Sequence, residues 1–273
     1  MQTAIVTGAT RGIGRATAVA LGALGYHVVV TGRTRHEGDA AALPEASGLA
    51  EFAHLPGSLA TTVALVEQAG GQATPLVLDL LERDTLQPVA LAAIEALGHV
   101  DVLINNAIYV GPAGTARFLD TPPDELERRL YANVAAQLVF MQPILRHMVA
   151  RRAGVITNVT SAAGYAPPTQ ATGAGGWALS YGVSKAGLHR IVEQLVVEHP
   201  DDGVRFLNVQ PGFVATERVL AAGAKLKFVA DHAAPVQIVG QALARIVDSA
   251  GDFPQGANVQ IQDHAHKWGL LPA

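Results

Sequence analysis

Apolar residues along this chain fall into short runs separated by stretches of helical periodicity. The runs Thr3–Val6, His27–Thr31, Ala73–Leu78, Val100–Ile104, Gly154–Val159, Val204–Val209 and Asn258–Ile261 are mostly near-continuous rather than alternating. That pattern predicts strands covered on both faces. Between them, helical patterns run over Ile13–Leu24, Ala60–Ala69, Leu86–Leu97, Glu125–Arg151, Tyr181–Glu198 and Pro235–Asp248. Thr121 and Pro122 offer a cap and a first-turn proline for the long fourth helix. Strand alternating with helix throughout predicts an α/β fold, a doubly wound parallel sheet with helices on both faces, in one domain over residues 1–273. Two segments break the rhythm. His36–Ser58 has weak periodicity and predicts a solvent-exposed excursion. Gly164–Ser180 holds Pro167, Pro168, Gly173, Gly175 and Gly176 and leads directly into Tyr181, which predicts a substrate-facing loop.

Composition narrows the class. Hydrophobic residues make up 49% of the 273 and charged residues 15%, enough for a large core. The net charge of -4 leaves no footprint for nucleic acid or an anionic membrane surface. The absence of cysteine excludes disulfides, thiolate metal ligands and cysteine nucleophiles. No apolar stretch reaches the roughly 18 residues of a membrane helix. The chain also passes from Met1 into an apolar strand without a basic leader, so a cytoplasmic protein is expected.

Chemistry enters at the first turn. "VTGATRGIGRA" follows the first strand and opens the first helix, with glycines at Gly8, Gly12 and Gly14. A backbone free of side chains, backed by a helix N-terminus, suits a pyrophosphate. In "VVVTGRT", Gly32 stands where an NAD-binding chain would place an acid for the ribose 2′-hydroxyl. Arg33 follows at once and Arg11 lies within the glycine turn. These are either two solvated arginines or a pair of guanidinium groups for a 2′-phosphate, and the missing acid favours NADP(H) over NAD(H). Tyr181 and Lys185 share a helix face in "SYGVSK", either as ordinary surface residues or as an acid with its tuning cation.

Taken together, "TGATRGIG", "LINNA" (Leu103–Ala107), "NVTSAAG" (Asn158–Gly164), "YGVSK" and "PGFVAT" (Pro211–Thr216) resemble the short-chain dehydrogenase/reductase family, in the family's order. The resemblance implies a Rossmann-like fold and hydride exchange between a ketone or aldehyde and an alcohol. It implies a tetrad of Asn133, Ser161, Tyr181 and Lys185: Tyr181 as acid or base, Lys185 lowering its pKa and holding the nicotinamide ribose, Ser161 steadying the substrate oxygen, and Asn133 holding a relay water. Thr160 is the neighbouring competitor of Ser161. Cofactor positions carried over are Gly8, Thr10, Arg11, Gly12, Ile13, Gly14, Arg33, Asp79, Leu80, Asn106, Ala107, Tyr181, Lys185, Pro211, Gly212, Val214 and Thr216. Substrate-pocket candidates are Tyr109, Trp177 and Phe213, on loops at about 164–180 and 212–234, with an apolar carbonyl or alcohol as the expected ligand. The family also implies a homo-oligomer, a tetramer first and a dimer second. The end, "QIQDHAHKWGLLPA", departs from the family pattern; Asp263, His264 and His266 there are expected to form a solvated tail or subunit contact rather than a metal site. A catalytically silent dinucleotide-binding regulator is the competing function.

Overall fold

The computed structural model describes residues 1–39, 55–111, 116–172 and 176–272. Most of the predicted excursion at 36–58, and Gly173 and Gly175 of the second loop, lie outside the described residues. Seven strands form one parallel sheet: β1 (Thr3–Val6), β2 (His27–Gly32), β3 (Gln72–Val77), β4 (Val102–Asn105), β5 (Gly154–Val159), β6 (Val204–Gln210) and β9 (Asn258–Gln260), in the order β3-β2-β1-β4-β5-β6-β9. Every neighbouring pair in it is parallel. A separate two-stranded ladder joins β7 (Val214–Ala215) to β8 (Ala234–Pro235).

The strand period of two divides each apolar run between two cores. Ala4, Val6, Val28, Val30, Val102 and Ile104 face α1 (Gly12–Ala23), α2 (Leu59–Gln68) and α9 (Val236–Asp248). Ile5, Val29 and Leu103 face α3 (Leu86–Leu97), α5 (Ala136–Arg151) and α6 (Leu179–Glu198). Burial on both sides is why these strands read as continuous rather than alternating. β3 is the exception: as an edge strand it is half-exposed and tolerates Pro75.

The helix expected over Glu125–Arg151 is not regular. It consists of α4 (Pro123–Leu130), a π-type turn at Tyr131–Ala135, and α5. The cause is polar. Asn133 pairs with both backbone groups of Tyr109, at 2.7 and 3.0 Å, and the Gln137 amide reaches the Ala132 carbonyl at 3.4 Å. The Gln137 side chain thus satisfies a carbonyl that a regular helix would pair internally, while Asn133 is drawn to the backbone that follows β4. Its start also differs by one residue, since Pro122 takes the cap position in place of Thr121. Three short helices, α7 (Glu217–Ala221), α8 (Lys227–Asp231) and α10 (Ile261–Lys267), occupy stretches without clear periodicity. In the stretch expected as a solvated tail or subunit contact, Asp263 and His266 are exposed, while Ile261 and Ala265 are buried, Trp268, Leu270 and Leu271 pack on the α1/α9 core, and His264 lies edge-on to Phe253 and tilted against Trp268. Alanine and aromatic spacing over so few residues gave too weak a period to show this. Among the described residues no cluster of three or more His, Asp or Glu is placed to hold a metal, and none of the helices is long and apolar enough to cross a membrane.

Candidate active site

The strand order reverses between β1 and β4, and the carboxyl ends of those strands open a crevice there. The turn from β1 into α1 forms one wall. Its tightness follows from the glycines: a Cβ on Gly14 would lie 2.4 Å from the Gly8 carbonyl oxygen, and one on Gly8 would lie 2.8 Å from the Ala107 Cα. Asn106 ties the two walls together, its amide donating to the carbonyls of Thr7 at 2.8 Å and Gly8 at 3.2 Å. The resulting cleft, about 280 Å³, is lined by Gly8, Thr10, Arg11, Gly12, Ile13, Arg33, Asp79, Leu80, Asn106, Ala107 and Thr216, all expected from the sequence. Asp79 also caps its own strand end, accepting from the Leu81 N–H at 2.9 Å, and sits 3.8 Å from the Arg33 guanidinium. Pro211, Gly212 and Val214 lie beside this cleft rather than in its lining, where the Gln262 amide holds the carbonyls of Pro211 and Phe213 at 2.8 and 2.7 Å.

β5 ends at Val159 and α6 begins at Leu179, and their meeting brings the other candidates together. The turn after Ser161 packs directly on α6, because a Cβ at Gly164 would lie 2.7 Å from the Lys185 carbonyl. Glycine at that position lets the serine turn reach the helix that carries Tyr181 and Lys185. Ser161 accepts from the Ala163 N–H at 3.3 Å and sits near enough to the Tyr181 hydroxyl to pull its pKa down. Thr160 is turned away: its buried hydroxyl donates to the Val209 carbonyl at 3.2 Å. Lys185 is buried, with Nζ donating to the Val159 carbonyl at 2.7 Å. Asn133 reaches the Ser184 hydroxyl at 3.4 Å, and Ser184 in turn donates to the Tyr181 carbonyl at 2.9 Å. Asn133 is therefore linked to α6 through Ser184, its other amide bonds being spent on Tyr109.

The electrostatics differ from expectation. Burial pushes the Tyr181 phenol above its ordinary value, and Ser161 pulls part of the way back. Burial also brings Lys185 down to about 8. Removing both groups from water penalises phenolate and ammonium alike, and Lys185 directs its charge at a backbone carbonyl.

A match to the short chain dehydrogenase family model covers residues 2–57 and 46–227, almost the whole region just described. The chain belongs to the short-chain dehydrogenase family. Among its relatives, an L-rhamnose 1-dehydrogenase (NAD(P)(+)) of Sphingomonas is 30% identical over 217 residues, covering 79% of this chain and 74% of that protein. Two solved structures share the fold with a TM-score of 0.75. One is a 3-oxoacyl-[acyl-carrier protein] reductase from Brucella melitensis in complex with NAD, 22% identical, covering 95% of each chain. The other is a 3-oxoacyl (acyl-carrier-protein) reductase from Agrobacterium tumefaciens with NADP bound, 24% identical, covering 95% of this chain and 92% of that one.

In this short-chain dehydrogenase the pocket candidates separate. Trp177 stacks against Tyr181 with ring centroids 5.3 Å apart and lies 6.5 Å from Phe213, which meets Phe228 edge-on at 5.9 Å. Tyr109 is elsewhere: buried at the inner end of the cleft, it donates its hydroxyl to Glu125 at 3.0 Å. Sequence reasoning missed several residues of the site. Glu217 accepts from the Gly12 N–H at 2.9 Å and pairs with Arg15, while Arg218 and Thr34 line the cleft. It also missed Arg129, fully buried and donating to the Ser180 hydroxyl at 2.8 Å and to the Val110 carbonyl. The only signal for the first two was a charge pair straight after Thr216; the buried Arg129 had none, since Arg128 beside it is exposed and reads alike.

Proposed function

We propose that this chain is an NADP(H)-dependent oxidoreductase that interconverts a ketone or aldehyde and an alcohol, with residues 1–273 acting as one catalytic domain. The observation that carries this reading is the nearness of Ser161 to Tyr181, one helical turn from Lys185, with Tyr181 linked through Ser184 and Asn133 to Tyr109 in the lining of the glycine-turn cleft. The cleft fits a dinucleotide: Cβ atoms at Gly8 and Gly14 would collide with Ala107 and with the Gly8 carbonyl, so glycine keeps the turn tight, with Gly8 and Gly12 lining the cleft ahead of the N-terminus of α1. Gly8, Gly12, Ile13, Gly14, Asn106, Ala107 and Thr216 would hold the pyrophosphate and ribose, Asp79 and Leu80 the adenine edge, and Pro211, Gly212 and Val214 the nicotinamide end. Bound nicotinamide supplies or accepts the hydride.

In the reductive direction Tyr181 gives its hydroxyl proton to the carbonyl oxygen, while Ser161 hydrogen-bonds that oxygen as charge develops on it. The raised phenol pKa in the free protein keeps Tyr181 in its acid form at neutral pH. Lys185 supplies positive charge one turn away, and Asn133 holds α6 in register through Ser184.

Two observations support NADP(H). A carboxylate cannot replace Gly32 without displacement, since a Cβ there would lie 2.5 Å from the Thr10 methyl. Arg11 and Arg33 line the cleft. The aromatic group of Trp177 and Phe213, with Pro167 and Pro168 nearby in the chain, supports an apolar substrate. Exposed Leu138 on α5 and Leu179 and Val183 on α6 support pairing of these helices with a second copy, in a tetramer or a dimer. The test is a panel of ketones with NADPH and NADH side by side, for wild type and Tyr181→Phe. Oxidation of NADPH in preference to NADH, lost in the variant, is expected. Binding of NADPH without turnover of any carbonyl would favour the silent regulator instead.

A further inference from the structure

β6 and β9 are parallel partners with Gln210 opposite Gln260, so the chain leaves both strands at the same end of the sheet. From β6 it enters the loop 211–213, and from β9 it passes directly into α10. Ile261 and Ala265, both fully buried, seat α10 against the core, and this places Gln262 across the loop. The Gln262 amide donates to the Pro211 carbonyl at 2.8 Å and to the Phe213 carbonyl at 2.7 Å, one bond for each of its two N–H groups. Gly212, between the two carbonyls, makes the crossing possible. Its φ is +71°, and a Cβ on it would lie 2.4 Å from Gln262 Nε2. The Gly212 N–H donates to Gln210 Oε1, and the Phe213 carbonyl also accepts from the Ala234 N–H at 2.9 Å. The loop is thus gripped from β6, from β8 and from α10.

We propose that Gln262 is a positioning residue for the cofactor: from the C-terminal helix it sets the loop 211–213 in the shape that receives the nicotinamide end. This deepens the reading in which Pro211, Gly212 and Val214 take that end, and rests on it. Pro211 has no N–H, so its carbonyl is the backbone group by which it is fastened. A glycine at positive φ leaves that conformation easily when nothing holds it. Two bonds from one planar amide fix the Pro211 and Phe213 carbonyls relative to each other, and with them the peptide planes that lead into Gly212 and Val214. A loop held in its receiving shape before the ligand arrives saves the cost of ordering it on binding. Arg11, Arg33, Asp79 and Leu80, proposed for the adenosine half, line the cleft that this loop lies beside. A loosened loop should therefore weaken the nicotinamide half of the contact and spare the adenosine half.

Calorimetric titration of the full-length protein with NADPH and with 2′,5′-ADP, which lacks the nicotinamide half, reads that contribution without any turnover. Wild type is expected to bind NADPH more tightly. Gln262→Met keeps the reach of the side chain and removes both donors. It should narrow the NADPH advantage by about tenfold, equivalent to about 1.4 kcal/mol, while 2′,5′-ADP affinity stays within about twofold and reports an intact fold. Gln262→Glu, of the same shape but turning acceptors toward both carbonyls, should narrow it further. Gln260→Ala, which removes the neighbouring bond to the Tyr165 hydroxyl, should leave it unchanged. If Gln262→Met keeps the wild-type advantage, the proposal fails and the assignment of the loop to the nicotinamide end stands. Equal loss of both ligands would reduce Gln262 to a support for the fold and also overturn it. A wild type that binds 2′,5′-ADP as tightly as NADPH would overturn the loop's assignment and this proposal together.

Discussion

Lys185 gives the sharpest stability prediction. Its ammonium is buried and its pKa stands at about 8, against 10.5 for the ordinary side chain. At 1.36 kcal/mol per unit, keeping it charged in the fold at pH 7 costs on the order of 3 kcal/mol. The hydrogen bond to the Val159 carbonyl, at 2.7 Å, returns roughly 1–2 kcal/mol of that. Lys185→Met keeps the length and apolar stem and removes both terms. The variant should be inactive, yet more stable than wild type at pH 7 by about 1–2 kcal/mol, raising the melting temperature by roughly 2–6 °C. The sign follows from linkage. The folded pKa lies below the unfolded one, so the unfolded chain binds more protons between about pH 8 and 10.5. Wild-type stability therefore gains from this group as pH rises through that window, and the variant's advantage should shrink there. Urea unfolding of both proteins at pH 7 and pH 10, cofactor-free and at one protein concentration, measures the difference. A Lys185→Met protein less stable at pH 7, or an advantage unchanged at pH 10, would refute the reasoning.

Other expectations concern the serine turn and the glycine turn. Ser161→Ala should lower kcat/KM by on the order of a hundredfold through loss of a hydrogen bond to the reacting oxygen. Thr160→Val, which removes only the bond to the Val209 carbonyl, should cost roughly 1 kcal/mol in urea unfolding and leave kcat/KM nearly unchanged; the reverse ranking would reassign the catalytic hydroxyl. Gly14→Ala places a Cβ 2.4 Å from the Gly8 carbonyl and 2.5 Å from the Asn106 amide. It should destabilise the fold by roughly 1–3 kcal/mol and weaken NADPH binding measured by fluorescence; unchanged binding would show that the turn has slack.

Much of this molecule was legible in its sequence because its signals are local. Gly154–Val159 and Leu86–Leu97 begin and end where the apolar pattern places them, since a strand buried on both faces and an amphipathic helix each impose a strong period. The glycine turn was legible because close backbone approach admits no other residue. The π-type turn was not, because its cause is Asn133 meeting Tyr109, 24 residues away in the chain. Arg218 was hidden for the same reason: Glu217 beside it is held by Gly12, across 205 residues, and by Arg15, and the segment so placed brings Arg218 near Arg11 and Arg33. The expected fall in the Tyr181 pKa rested on the charges of Lys185 and of the oxidised nicotinamide; in the free protein burial, which depends on the whole fold, outweighs the lowering by Ser161.

The central claim is hydride transfer assisted by Tyr181. Incubating the protein with NADPH deuterated at the nicotinamide C4 and a panel of apolar ketones, then analysing the products by mass spectrometry, tests it directly. The account predicts alcohol carrying one deuterium at the former carbonyl carbon, with Tyr181→Phe slower by about 10²–10⁴-fold while still binding NADPH. Tight NADPH binding with no deuterated alcohol from any carbonyl compound, or an equally active Tyr181→Phe, would contradict it.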